Sequence, residues 1–301
     1  MKHILSLITI TRNDDCRLQE WYHHYLEYKD IVDLHIIVDN NSTMEYKNKM
    51  KQLFQNSIFI ELDHNGGCTE AYNVGIRYAT EHNADVISLM GNDIEIKTSD
   101  IERLLDILEN EKFDMIYPIV LNNGDDIDRI DKYGYNVDYF RLEMKKLNLK
   151  LPFKDLPQFI LCETGPGGCS FAKKSYYKTI GLQDTNLFMY VDEVDNGIRA
   201  SLYKMKVGTA KIVAWHRHIY TPGAKKRNPM AAYLLSRNHI YLAKKHLKGI
   251  NKYRVYLITA IFAIEHYFHL ENLLDKENRK YVNSYFAGLL AGLIGNMKNI
   301  F

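Results

Sequence analysis

Cysteine is scarce in this sequence of 301 residues, and none of it is arranged for chemistry. Cys16, Cys68, Cys162 and Cys169 form no CxxC pair, which argues against a zinc site and a thioredoxin-like motif. They read as reduced thiols of a cytosolic protein. Charge of one sign is not in excess either. The formal net charge is +2, so the overall balance implies no polyanion partner, and nucleic acid is not expected. No GxGxxG and no GxxxxGKS/T occurs at the Gly66-Gly67 pair, which disfavours a dinucleotide site and a P-loop. Long apolar runs are missing as well. The stretch "YRVYLITAIFAIEHYFHL" at 253–270 is interrupted by Arg254, Glu265 and His266, and is short for a span of roughly 20 residues. The opening "MKHILSLITITRNDD" lacks a small-residue cleavage site and reads as a first strand, not a signal peptide.

What is present is ordinary for a globular protein. Hydrophobic residues make up 46% and charged residues 25%. A chain of this length can bury a substantial core. The 22 tyrosines suit core positions, a carbohydrate-binding surface or a membrane-interface belt. "ILSLITIT", "VDLHIIVDNNS", "SIFIELDHNGG" and "ADVISLMGND" predict strands that end in polar loops. "FDMIYPIV" predicts a fifth strand, and its Pro118 points to an edge or a strand end. Helices are expected from about Asp14, over Met44 to Phe54, over Thr69 to Thr80, and after a capping box made by Ser99 and Glu102. Strands alternating with helices imply a parallel sheet with helices on both faces. Ligands bind such sheets outside the carboxyl ends of the strands. The site is therefore expected where "TRND", "VDNNS", "DHNGG" and "MGND" converge.

Individual residues there admit two readings each. Asp39, followed by Asn40, Asn41 and Ser42, is an Asx-type turn or an acceptor for a base or ribose. Gly66-Gly67 alone is a turn. Asp93, just past a hydrophobic strand, is a turn carboxylate or an oxygen ligand for Mg²⁺ or Mn²⁺. His216 ends the strand "KVGTAKIVAWHRH" and is a structural histidine or a second metal ligand, a type that suits Mn²⁺. In "LFMYVDEVD", Asp192, Glu193 and Asp195 fit the first turn of a helix, where the dipole favours acids. They also fit a general base at a cleft edge.

In their order, "TITRN", "VDNNS", "NGGCTEAYNVG", "MGND", "GGCSFAKKSYYKTIGLQD", "LFMYVDEVDNGIRA" and "AWHRH" resemble the family 2 inverting glycosyltransferases, nearest the bacterial rhamnosyltransferase-like branch that builds surface polysaccharide. The likeness covers about residues 3–245. It implies an α/β fold: a GT-A type, Rossmann-like nucleotide-binding sheet with helices on both faces, followed by a mostly helical C-terminal region. Residues 1–245 form the catalytic domain on this reading, 1–120 its nucleotide-sugar half and 121–245 its acceptor half. The resemblance places Thr11 and Asn13 at the nucleotide, Asp39 with Asn40 and Ser42 at the base, and Asn65, Gly66 and Asn73 over the nucleoside. It makes Asp93 and His216 the metal ligands, with Mn²⁺ or Mg²⁺ as cofactor, and Glu193 the catalytic base. Two positions depart from the family pattern. Gly91-Asn92-Asp93 supplies one carboxylate of the usual pair, with Asn92 left to act through a water. Asp192-Glu193 reverses the usual Glu-Asp order, so Asp192 is the rival base.

The implied partners are a nucleotide-diphosphate sugar donor and a glycan or lipid-linked acceptor, and the implied place is the cytoplasm, at the inner face of the cytoplasmic membrane. Lys225, Lys226 and Arg227 lie in a breaker-flanked loop that either closes over the diphosphate or solubilises the surface. Residues 246–301 are expected to be helices that pack on the catalytic domain, pair two subunits or lie on the membrane. Two other functions remain open: a nucleotidyltransferase, although "TRNDDC" lacks the expected Gly-rich loop, and a non-catalytic nucleotide- or carbohydrate-binding module.

Overall fold

The central strands Leu5–Thr11, Val86–Met90 and Met115–Asn122 are buried on both faces because helices cover both. The computed structural model describes residues 3–122, 124–126, 133–147, 149, 151–217, 228–268 and 275–298. Strand β1 (Leu5–Thr11) is followed by helix α1 (Leu18–Tyr28), β2 (Leu34–Asp39), α2 (Met44–Leu53), β3 (Ile58–Glu61), α3 (Gly67–Glu81) and β4 (Val86–Met90). Then come β5 (Ile94–Glu95), α4 (Thr98–Asn110) and β6 (Met115–Asn122). A hairpin of β7 (Tyr135–Asp138) and β8 (Glu143–Lys146) precedes β9 (Phe159–Leu161), β10 (Cys169–Lys173), α5 (Lys174–Ile180), α6 (Asp192–Leu202) and β11 (Val207–His216). Helices α7 (Pro229–His246), α8 (Ile250–Phe268) and α9 (Lys276–Ile294) end the chain.

Among the described residues the main sheet runs β3-β2-β1-β4-β10-β6-β11-β5, with β9 pairing the outer side of β11. β1, β2, β3 and β4 are mutually parallel, and β6 is parallel to β11. Alternation along β1 sends Leu5 and Leu7 toward Trp21 and Tyr25 of α1, and Ile8 toward Ala71 and Ile76 of α3. Gly75 lets α3 sit directly on β1, since a Cβ there would lie 2.5 Å from Ile8 Cγ2.

The sheet departs from the expected all-parallel form in the middle. β10 is antiparallel to both β4 and β6. β6 is therefore central, not an edge, and Pro118 lies inside it. The proline is tolerated because β11 bulges there: Thr209 pairs Tyr117 and the next partners are Val213 and Ile119. β10 reaches only Met115 and Ile116, so Pro118 has no ladder bond to donate on that side. The capping box also fails. α4 starts at Thr98 with Lys97 as N-cap and no side-chain cap, so Ser99 is already inside the first turn. Thr98 Oγ1 instead donates to Glu27 O at 2.7 Å and ties α4 to α1.

Candidate active site

The carboxyl ends of β1, β2, β3 and β4 converge, and side-chain hydrogen bonds link their loops. Thr11, buried at the end of β1, holds Tyr46 Oη of α2 at 2.5 Å through Oγ1. Burial pushes that phenol up to about 12. Asn13 is left-handed, with φ 49°, and spans two turns. Its N–H donates to Ser42 Oγ at 3.0 Å and its Oδ1 accepts from Thr43 N at 2.8 Å. Asn40 links the end of β2 to the start of α3, accepting from Gly66 N at 2.8 Å and donating to Gly67 O at 3.1 Å. Asn65 Oδ1 accepts from Gly67 N at 3.2 Å. Asn73 stands apart from this group. Its amide exchanges two hydrogen bonds with the Gln183 backbone, at 2.8 and 2.9 Å, and joins α3 to the chain that leads into α6.

Asp39 is the buried carboxylate of the group, 1% exposed. Its Oδ2 accepts from Ser42 N at 3.0 Å and faces Lys47 Nζ at 3.4 Å. Among the described residues its Oδ1 has no partner and is a buried acceptor left over at the end of β2. A buried acceptor without a donor is costly, and a ligand N–H or O–H is one way to satisfy it. Lys47 also pairs Glu61 at 3.0 Å and so bridges the ends of β2 and β3. Sequence reasoning missed it, because a lysine one turn into a polar helix gives no sign that it points inward.

At the end of β4, Asp93 Oδ2 accepts from His216 Nε2 and from Arg17 Nη1, both at 2.8 Å. His216 is brought there by antiparallel pairing with Ile94. Asn92 Nδ2 donates to Asp14 Oδ2 at 2.8 Å, and Arg17 Nε lies 3.7 Å from the same carboxylate. The side chains of Arg17 and Asp93 are only 21% and 13% exposed, so their attraction is screened far less than that of a surface pair, worth about 0–1 kcal/mol. Arg17 is the second residue the sequence reading did not single out. A carboxylate oxygen and an imidazole nitrogen in contact are donors that Mn²⁺ accepts together. Among the described residues no group of three His, Cys, Asp or Glu could hold a metal ion by itself. The set therefore fits an ion that takes two protein ligands and fills its other positions with phosphate oxygens and water.

The acids of α6 lie beside the loop 164–168. Asp192 and Glu193 open the helix, and Val191 is its N-cap. Burial raises both carboxyls above the usual carboxylate range. Asp192 goes well above it, pushed further by the neighbouring Glu193 charge. Glu193 is held down by N–H groups, its own and that of Gly167. The loop 164–168 is built around this glutamate. Thr164 Oγ1 donates to Glu193 O at 2.8 Å, and a Cβ on Gly167 would lie 2.2 Å from Glu193 Oε1. Gly91 N donates to Gly168 O at 2.7 Å, which joins that loop to the turn that carries Asp93. Asp195, the third acid, is not in the cleft set. It is buried and pairs Arg199 at 2.9 Å and Lys245 and His246 at 2.7 Å, which holds its carboxyl well below the usual range. Lys225, Lys226 and Arg227 lie outside the described residues.

Comparison with known proteins gives concordant results. The model of glycosyl transferase family 2 matches residues 6–177, a region that ends before Asp192. A low-salt glycan biosynthesis hexosyltransferase, Agl10 of Haloferax volcanii, is 23% identical over 266 residues, covering 86% of this chain and 82% of the relative. The dTDP-rhamnosyl transferase RfbF of Shigella flexneri is 26% identical over 198 residues, 64% of this chain and 56% of its own length. Two solved structures share the fold. GalNAc-T7 with UDP, GalNAc and Mn²⁺ superposes with a TM-score of 0.66 at 13% identity, over 96% of this chain and 56% of its own. The mannosyltransferase PcManGT of Pyrobaculum calidifontis with GDP-Man and Mn²⁺ does so at 0.57 and 12%, over 100% and 89%.

Proposed function

The chain belongs to glycosyl transferase family 2, with a GT-A fold, and from that premise we propose that it is an inverting sugar transferase using a nucleotide-diphosphate donor and Glu193 as base. The observation that carries the reading is the Asp192-Glu193 pair, two raised carboxyls set against a glycine loop whose Gly168 O accepts from Gly91 N beside Asp93. Burial raises both carboxyls, and the two titrate as a pair. The family order of the two acids is reversed here, and the Gly167 N–H beside the Glu193 carboxyl supports the second as the acceptor.

The reaction on this reading is one displacement. An acceptor hydroxyl attacks the anomeric carbon from the face opposite the diphosphate, and its proton passes to the Glu193 carboxylate. The bond from the anomeric carbon to the diphosphate oxygen breaks, and its electron pair leaves with the nucleoside diphosphate. No covalent enzyme intermediate forms, and the configuration inverts. Asp39 takes the polar edge of the base or ribose at its unpartnered Oδ1. Arg17 offers fixed positive charge on the leaving-group side. A Mn²⁺ or Mg²⁺ held by Asp93 and His216 would supply further charge stabilisation to the departing diphosphate. Glycan biosynthesis by one relative and rhamnosyl transfer by the other support a glycan or lipid-linked glycan as acceptor in surface polysaccharide synthesis.

No helix among the described residues is long and apolar enough to cross a membrane. α8 nevertheless leaves Ile250, Leu257, Ile261, Ile264 and Phe268 exposed, a face for peripheral membrane contact or for a second copy. Pelleting with vesicles and mass in solution separate those two outcomes.

The deciding test is nucleoside diphosphate release from a panel of UDP-, GDP- and dTDP-sugars with Mn²⁺. Glu193→Gln and Asp93→Asn are expected to lower turnover by about 10²-fold or more while nucleotide binding persists in Glu193→Gln. Unchanged turnover in both sinks the mechanism, and absence of turnover in the wild type with nucleotide bound favours a binding module.

A further inference from the structure

We propose that Asn238 and Arg237 of α7 are positioning residues for the reaction, clamping the strained turn that sets the start of α6 and therefore Glu193. The inference rests on the reading of Glu193 as base. Three residues just before the acids, Phe188, Tyr190 and Val191, have left-handed backbones with φ of 62°, 69° and 56°. All three are bulky or β-branched, for which this conformation is strained and persists only where surrounding structure enforces it.

The enforcement is visible carbonyl by carbonyl. Arg237 Nη2 donates to Asn186 O at 3.1 Å and Leu187 O at 3.0 Å. Thr69 N, in the first turn of α3, donates to Phe188 O at 3.3 Å. Asn238 Nδ2 donates to Leu187 O at 3.0 Å, Met189 O at 2.8 Å and Tyr190 O at 3.2 Å. Five successive carbonyls, 186 to 190, are thus held from outside the turn. Arg237 also fixes its neighbour, since its Nε donates to Asn238 Oδ1 at 3.0 Å and turns the amide so that Nδ2 faces the turn. Both side chains are fully buried, at 0% exposure. A buried guanidinium bonded to loop carbonyls is an expensive way to fill a helix face that an apolar residue would pack more cheaply. The arrangement makes sense where the loop geometry itself matters. Gly67 agrees: its Cα lies so close that a Cβ would fall 2.2 Å from Phe188 O, so α3 presses on the same turn.

The test compares Asn238→Asp, Asn238→Ala and Glu193→Gln. Asn238→Asp keeps the size and the acceptor for Arg237 but cannot donate to the three carbonyls. It is the variant to read where Asn238→Ala does not fold. In folded Asn238 variants kcat is expected to fall about 10²-fold, as for a catalytic group displaced by an ångström. The affinity for the nucleoside diphosphate by calorimetry should stay within about threefold. Protection of the Asp195 amide, which donates to Val191 O at 3.2 Å, should fall about tenfold on hydrogen exchange. Wild-type kcat and exchange in Asn238→Asp, with Glu193→Gln inactive, overturns the clamp and leaves the base reading standing. Full activity of Glu193→Gln overturns the base reading instead, while the exchange result still reports on the clamp.

Discussion

Two adjacent carboxyls in one cleft make a testable claim about acid and base. A carboxyl whose folded-state pKa is raised favours folding only in its protonated form. Below the ordinary carboxylate range both states are protonated and nothing is lost. As pH rises, the unfolded chain ionises freely while the half-buried Asp192 resists, so the fold is progressively penalised. Asp192→Asn removes the penalty. Its melting temperature is expected to exceed the wild type above neutral pH, with the gap closing toward about pH 4. Thermal melts across that range check it, and a gap independent of pH would contradict it. At this scale the sequence disclosed the carboxylates and amides well, because Asp39, Asn40, Asp93 and Glu193 stand at strand or helix ends that patterning reveals. It did not disclose the cations that face them. Arg17 precedes α1 and Lys47 lies on α2, in polar surroundings where an inward and an outward side chain look alike. Their inward aim comes from the packing of those helices on the sheet. Nor could spacing show that Gly167, far from Glu193 in sequence, must lack a side chain to admit it.

Among the elements, α7 carries most weight, since it holds the clamp. Its start is well made: Asn228 accepts from Met230 N at 2.9 Å and Ala231 N at 3.3 Å, and Pro229 opens the helix. Asn228→Ala is expected to cost about 1 kcal/mol and lower the melting temperature by about 2–4 °C. kcat measured well below the melt should not change, because the cap is more than two turns from Asn238. A calorimetric scan with parallel kinetics checks both parts, and an unchanged melt would mean that the cap is idle. Element existence was readable along the first 120 residues, where strands and helices alternate. Element adjacency was not. β10 lies between β4 and β6 although it follows them by many residues, and no local pattern announces an antiparallel insertion. Pro118 misled for a related reason. A proline is read as an edge signal from its own missing N–H, but the bulge that accommodates it is supplied by β11. The Ser99–Glu102 pair misled because α4 begins two residues earlier than a capping box requires.

For the whole molecule, the question is whether the last helices are an appendage or part of the catalytic fold. α9 packs on α7 without room to spare. A Cβ on Gly288 would lie 2.1 Å from Tyr233 O, and one on Gly292 would lie 2.7 Å from Ile240 Cβ. Ser236 Oγ donates to Tyr285 O at 2.8 Å, and Lys244 Nζ donates to Gly292 O and Leu293 O at 2.8 and 2.7 Å, at the carbonyl end of α9. Beyond that helix, Arg237 Nη1 donates to Met297 O at 3.0 Å and Lys298 O at 3.3 Å. The guanidinium that steadies the turn before Glu193 is thus itself steadied by the C-terminal segment. A chain ending at Gly249 would uncover Ala232 and Ile240 and leave the partly buried Arg237 Nη1 without its acceptors Met297 O and Lys298 O. Each large apolar side chain exposed costs about 1.5–3 kcal/mol, and each unsatisfied buried donor about 1–3 kcal/mol. A handful of such losses is comparable to a total stability of about 5–15 kcal/mol. The shortened chain is therefore expected to show no cooperative thermal transition and no turnover, although every residue assigned to donor, metal and base remains in it. A cooperative melt within a few degrees of the full chain, with kcat retained, would show instead that the catalytic fold is complete without its last two helices.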